Sequence, residues 1–84
     1  MADVRITPWA ARELDSLPLP IRARMLKLFE RLTRWPAVSG MKPLRGPLAG
    51  CYRLRTGDYR VRIRIDEETI VVDKIGHRSR FYED

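Results

Sequence analysis

Over residues 51 to 75, apolar and polar positions alternate with a period of two. In Cys51-Tyr52-Arg53-Leu54-Arg55 and again in Tyr59-Arg60-Val61-Arg62-Ile63-Arg64-Ile65, every second position is an arginine. Strand side chains point alternately to opposite faces, so Arg60, Arg62 and Arg64 share one face, and Tyr59, Val61, Ile63 and Ile65 share the other. Three strands are predicted, about Tyr52 to Arg55, Tyr59 to Ile65 and Thr69 to Ile75. A Thr56-Gly57-Asp58 turn and an acidic Asp66-Glu67-Glu68 turn join them as an antiparallel meander.

In the N-terminal half the period changes. Val4 to Thr7 reads as a short strand able to join an edge of the sheet. Thr7-Pro8 is a helix start, because threonine can cap exposed amides and proline fits the first helical position. A helix from about Pro8 to Asp15 follows, and Leu17-Pro18-Leu19-Pro20 interrupts it. A second helix from about Pro20 to Arg34 carries Ile21, Met25, Leu28, Phe29 and Leu32 on one face. Its Arg22, Arg24, Lys27, Arg31 and Arg34 read as a solvated surface. Trp35-Pro36 ends it, since the residue before proline is pushed away from helical angles. Ala37 to Gly50 reads as an irregular connector, and Trp9 and Trp35 as packing residues. The fold class expected is α+β: one domain over residues 1–84, with two N-terminal helices packed on one face of a small, mainly antiparallel sheet.

At 84 residues the chain has room for one thin core, since folding at this size buries only roughly 60 to 65% of the unfolded surface. The formal charge is +6 and the pI near 10.2. Such a charge suits a polyanionic partner, nucleic acid or an acidic protein, although a basic surface can also serve solubility alone. The chain has no apolar run long enough to span a membrane. A single cysteine, Cys51, excludes an internal disulfide and a cysteine-rich metal site, which fits a reducing cytosol. Consecutive acids at Asp66, Glu67 and Glu68 cannot converge on one ion from a hairpin turn, so no metal and no cofactor are expected.

Pairing the strands around Thr56 to Asp58 brings Arg53 and Arg55 onto the face that holds Arg60 and Arg62. Gly76-His77-Arg78-Ser79-Arg80-Phe81-Tyr82 adds a histidine, two arginines and a phenol near its rim. Like charges so close repel one another, and binding an anion relieves that cost. Guanidinium forks match phosphate oxygens in particular.

The run Lys42-Pro43-Leu44-Arg45-Gly46, then Gly50 to Arg62, then Ile75-Gly76-His77-Arg78 with Tyr82 four residues on, resembles the RelE/ParE toxin superfamily, in its RelE branch. The resemblance spans nearly the whole chain. It implies a cytoplasmic toxin of a type II toxin–antitoxin pair, held by a cognate antitoxin in a hetero-oligomer and cutting mRNA in the ribosomal A site. The implied chemistry is metal-independent attack of the ribose 2′-hydroxyl on the adjoining phosphorus. Carried over by motif, Arg60 and Arg78 clamp the phosphate, Arg53 and Arg55 stand where the prototype has lysines, and Tyr82 stacks on a base or shares in proton transfer. Arg45, Arg62 and Arg80 are the expected RNA-binding residues. A guanidinium does not give up its proton, which leaves His77 as the first candidate base and Tyr82 as the second. The ParE-like alternative is a gyrase inhibitor without nuclease activity.

Overall fold

Thr7 and Pro8 mark where the first helix begins. In the computed structural model, which describes residues 1–81, the Thr7 hydroxyl accepts the Ala10 N–H at 3.1 Å. Helix α1, Pro8–Asp15, thereby gains a partner for one of its otherwise orphaned amides. Helix α2, Leu19–Leu32, begins after Pro18 and stops two residues before the expected Arg34. The Arg34 and Trp35 amides donate to Arg31 and Leu32 rather than four residues back, so the last turn tightens ahead of Pro36.

The strands are β1 (Asp3–Ile6), β2 (Lys42–Pro43), β3 (Cys51–Thr56), β4 (Tyr59–Asp66) and β5 (Thr69–His77). They form one sheet in the order β1-β5-β4-β3-β2, with β1 parallel to β5 and every other pairing antiparallel. The meander and the edge position of β1 match expectation. The connector differs: it contributes the short strand β2 beside β3, and a 3₁₀ turn at Gly46–Leu48. Two residues are too few to show a period, so pattern gave no sign of β2.

A second difference lies within β5. Arg62 pairs with Lys74 and Ile63 with Val72, so Asp73 is the extra residue of a β-bulge. The bulge shifts the alternation of β5 by one. Ile70, Val72 and Ile75 are all buried, and both Asp73 and Lys74 are left on the side away from the core.

Both helices cover one face of the sheet. Met25, Leu28, Phe29 and Leu32 of α2 and Ala10 of α1 pack in one cluster with Leu54, Val61, Ile63, Ile70, Val72 and Ile75. Trp35 is partly buried against this cluster, as expected of a packing residue. Trp9 is not: it is 62% exposed, because the inward face of α1 is set by Ala10 and Leu14 and position 9 points away. Helices on one face leave the other face of β2 to β5 to the arginines.

Candidate functional site

Register across β3, β4 and β5 arranges the basic side chains in two rows. Residues directly paired on neighbouring strands point to the same face, and Arg55 pairs with Arg60, which pairs with Gly76. One step along the strands, Lys42 pairs with Arg53, Arg53 with Arg62, and Arg62 with Lys74. The rows lie about 6.7 Å apart, two residues along each strand, and neighbours within a row about 4.8 Å apart. Arg53, Arg60 and Arg62 are half-buried, whereas Arg55 and Lys42 are exposed. The sequence pattern implied the arginine pairs. It did not reveal Lys42 or Lys74, because β2 and the bulge put them in place.

Arg78 lies two residues beyond Gly76, the β5 member of the first row. It opens the short 3₁₀ turn Arg78–Arg80 that follows β5. Its backbone N–H donates to the Asp58 carbonyl at 2.8 Å, which ties it to the β3–β4 turn. Gly57 turns that corner with φ +60, a conformation that favours glycine. The Arg78 Nε lies 3.8 Å from Asp58 Oδ1, and both side chains are largely exposed, so this pairing holds weakly and leaves the guanidinium open to an anion.

Arg62 is fixed differently. Its Nε donates to Asp73 Oδ1 at 2.8 Å, with the two side chains only 20% and 15% exposed. The carboxylate is there because of the bulge. It is a counter-charge within the basic face, absent from the residues that the sequence singled out.

His77 takes a place that the sequence did not foretell. It pairs with Tyr59, whose side chain belongs to the helix-side face, and the two rings meet edge to face at 5.2 Å. Register therefore sets His77 on the opposite face from Arg60. The Ser79 N–H donates to His77 Nδ1 at 3.1 Å, and the Ser79 hydroxyl lies 2.8 Å from the same nitrogen. With Nδ1 accepting, the neutral ring carries its proton on Nε2. In this way His77 Nδ1 caps the turn that bears Arg78.

The other expected residues are dispersed. Arg45 is exposed next to β2, at one edge of the sheet. Arg80 lies towards the opposite edge, on the wall of a cleft of about 540 Å³ shared by Glu13, Leu17, Tyr59, His77 and Phe81. Here β5 runs on beyond β1, and Glu13 of α1 accepts the Ile75 N–H at 2.8 Å, which satisfies an amide on the open edge. Phe81 closes the cleft, with the Lys74 ammonium 4.8 Å from its ring centre. Tyr82 lies outside the described residues. Among the described residues no cluster of His, Cys, Asp and Glu is suited to hold a metal ion, and no helix is long and apolar enough to cross a membrane.

A family model for the ParE toxin of type II toxin–antitoxin systems matches residues 4–82. Toxin RelG of Mycobacterium tuberculosis is 43% identical over 82 residues, covering 94% of this chain and 93% of its own length. Toxin RelE of the same organism is 40% identical over 82 residues, covering 94% and 84%. Among solved structures, the toxin–antitoxin complex RelBE2 of M. tuberculosis superposes with a TM-score of 0.82 at 41% identity, covering 93% of this chain and 92% of that one. The archaeal RelE–RelB complex of Pyrococcus horikoshii gives a TM-score of 0.75 at 28% identity, covering 95% and 98%. The isolated E. coli RelE toxin gives 0.75 at 21% identity, covering 92% and 84%, a likeness of fold alone.

Proposed function

The chain belongs to the RelE/ParE superfamily of type II toxin–antitoxin toxins, and from that premise we propose that it is an endoribonuclease that cuts mRNA on the ribosome and is silenced by a cognate antitoxin. The observation that carries this reading is that Arg55 pairs with Arg60 next to the β3–β4 turn, to which the Arg78 backbone is tied. Such a site suits a phosphodiester whose oxygens gain charge as a fifth bond forms to phosphorus.

In the reaction the ribose 2′-hydroxyl attacks the adjoining phosphorus, and the 5′-oxygen of the next nucleotide leaves. The products are a 2′,3′-cyclic phosphate and a 5′-hydroxyl. Arg60 and Arg78 clamp the phosphate and stabilise its developing charge, while Arg53 and Arg55 neutralise the remainder and orient the strand. None of them can accept the proton of the 2′-hydroxyl. His77 acts as a positioning residue that caps the turn behind Arg78, while Tyr82, assigned by motif, takes the 2′-hydroxyl proton as phenolate and solvent water protonates the departing 5′-oxygen. The antitoxin partner is supported by relatives solved as complexes: RelBE2 of M. tuberculosis, and RelE–RelB of P. horikoshii.

Primer extension on cellular messages after induction tests the reading directly. Discrete new 5′ ends within translated regions support it. Intact messages together with inhibited DNA supercoiling by purified gyrase would instead favour the ParE-like alternative.

A further inference from the structure

We propose that Lys42, Arg62 and Lys74, which flank Arg53 in the second row, form a phosphate subsite that seats the RNA backbone next to the cleaved linkage. This deepens the ribonuclease reading and rests on it for the identity of the ligand as RNA. Three structural observations carry it. The row crosses β2, β3, β4 and β5 without a break, a span of roughly 14 Å at the usual strand spacing, longer than a single phosphate group. It runs beside the Arg55–Arg60 row, one side-chain step away, so one strand of RNA can lie on both. Within it Arg62 is held in place, its Nε fixed by Asp73.

The Asp73 contact decides what Arg62 can do. Using Nε for the carboxylate leaves the Nη donors for a ligand, and a guanidinium held at one nitrogen loses less freedom when it grips a phosphate. Asp73 also balances the Arg62 charge while no RNA is bound. A bulge that delivers an acid into a basic row, and delivers Lys74 beside it, builds this subsite where regular alternation would have put Asp73 and Ile75 on one face and Lys74 on the other.

A charge-neutral substitution separates a placed subsite from general attraction. Arg62→Ala/Asp73→Ala leaves the net charge at +6 and strands neither partner. Glu30→Ala/Arg34→Ala, two exposed positions at the end of α2 and just beyond it, serves as the matched control. Binding of a short single-stranded RNA oligonucleotide is measured by fluorescence anisotropy over a range of salt concentrations. The strand pair should raise Kd about tenfold and lower the slope of log K against log salt by about 0.7, the loss of one phosphate contact on a single strand. The control pair should change neither. Lys42→Gln, on the exposed edge strand, should weaken binding more than Lys27→Gln on α2, a comparison that stands even if the double variant folds poorly. Equal Kd and slope for wild type and the strand pair, with Lys42→Gln no weaker than Lys27→Gln, would overturn the subsite, as would wild type that binds no RNA at low salt. Wild type that binds RNA by this row but cuts no message would leave the subsite standing and remove the nuclease reading instead.

Discussion

His77 accepts the Ser79 N–H on Nδ1 at 3.1 Å, so the imidazole caps the same short turn that begins with Arg78. Capping by an acceptor side chain is worth about 0.5–2 kcal/mol, and asparagine is among the best caps. His77→Asn should therefore keep cleavage within about threefold of wild type, while His77→Ala should lose about tenfold through a loosened Arg78. Equal and severe loss in both variants would point to proton transfer by the ring, and the positioning role would be withdrawn.

Arg60 and Arg78 are expected to matter to the chemical step itself. Replacing either by alanine should slow single-turnover cleavage by roughly 10²- to 10³-fold, since one well-placed donor to a developing charge is typically worth about 3–4 kcal/mol. Arg34→Ala, exposed just after α2, should alter it by less than about threefold. Similar losses at all of these positions would mean that charge acts only as a general attractor.

Some of this organisation was legible in the residues alone, and some was not. Pro8, Pro18 and Pro36 bound the helices because a ring without an N–H is tolerated only at particular positions, and the Arg-apolar alternation of β3 and β4 set their faces. The Arg53–Arg62 and Arg55–Arg60 pairs followed from the Gly57 turn. Asp73 was missed because a bulge is a tertiary event; its trace was the three-residue step from Val72 to Ile75, where a regular strand would have stepped by two. The position of His77 opposite Tyr59 depended on the same shift. The bond from Ile75 to Glu13, 62 residues apart, has no local signature at all.

A thin core makes single deletions costly. Ile63 and Leu32 are fully buried in the cluster that joins sheet to helices. Truncation of either to alanine should lower unfolding free energy by about 2–5 kcal/mol. Leu26→Ala, at a side chain 59% exposed, should change it by less than about 0.5 kcal/mol. Urea titrations of the purified toxin check both; a large loss at Leu26 would show that this position is covered in solution.

Control by an antitoxin predicts a genetic asymmetry. Induction of this chain alone should arrest translation and growth, and co-expression of the cognate antitoxin should restore both, the outcome expected if an antitoxin segment wraps the domain and blocks ribosome entry or displaces active-site residues. Arg60→Ala should be tolerated without antitoxin while still binding it. Undiminished growth during induction of verified, folded wild type would contradict the toxin role for this chain.

The most direct measurement is cleavage of two messages that differ by one oxygen. Ribosomes are programmed with an mRNA carrying either ribose or 2′-deoxyribose immediately 5′ of the mapped cut. Attack by the 2′-hydroxyl predicts that the ribose message is cut to a 2′,3′-cyclic phosphate and a 5′-hydroxyl, and that the deoxy message stays intact. Cutting of the deoxy message at the same linkage would contradict the mechanism, because no internal nucleophile would remain.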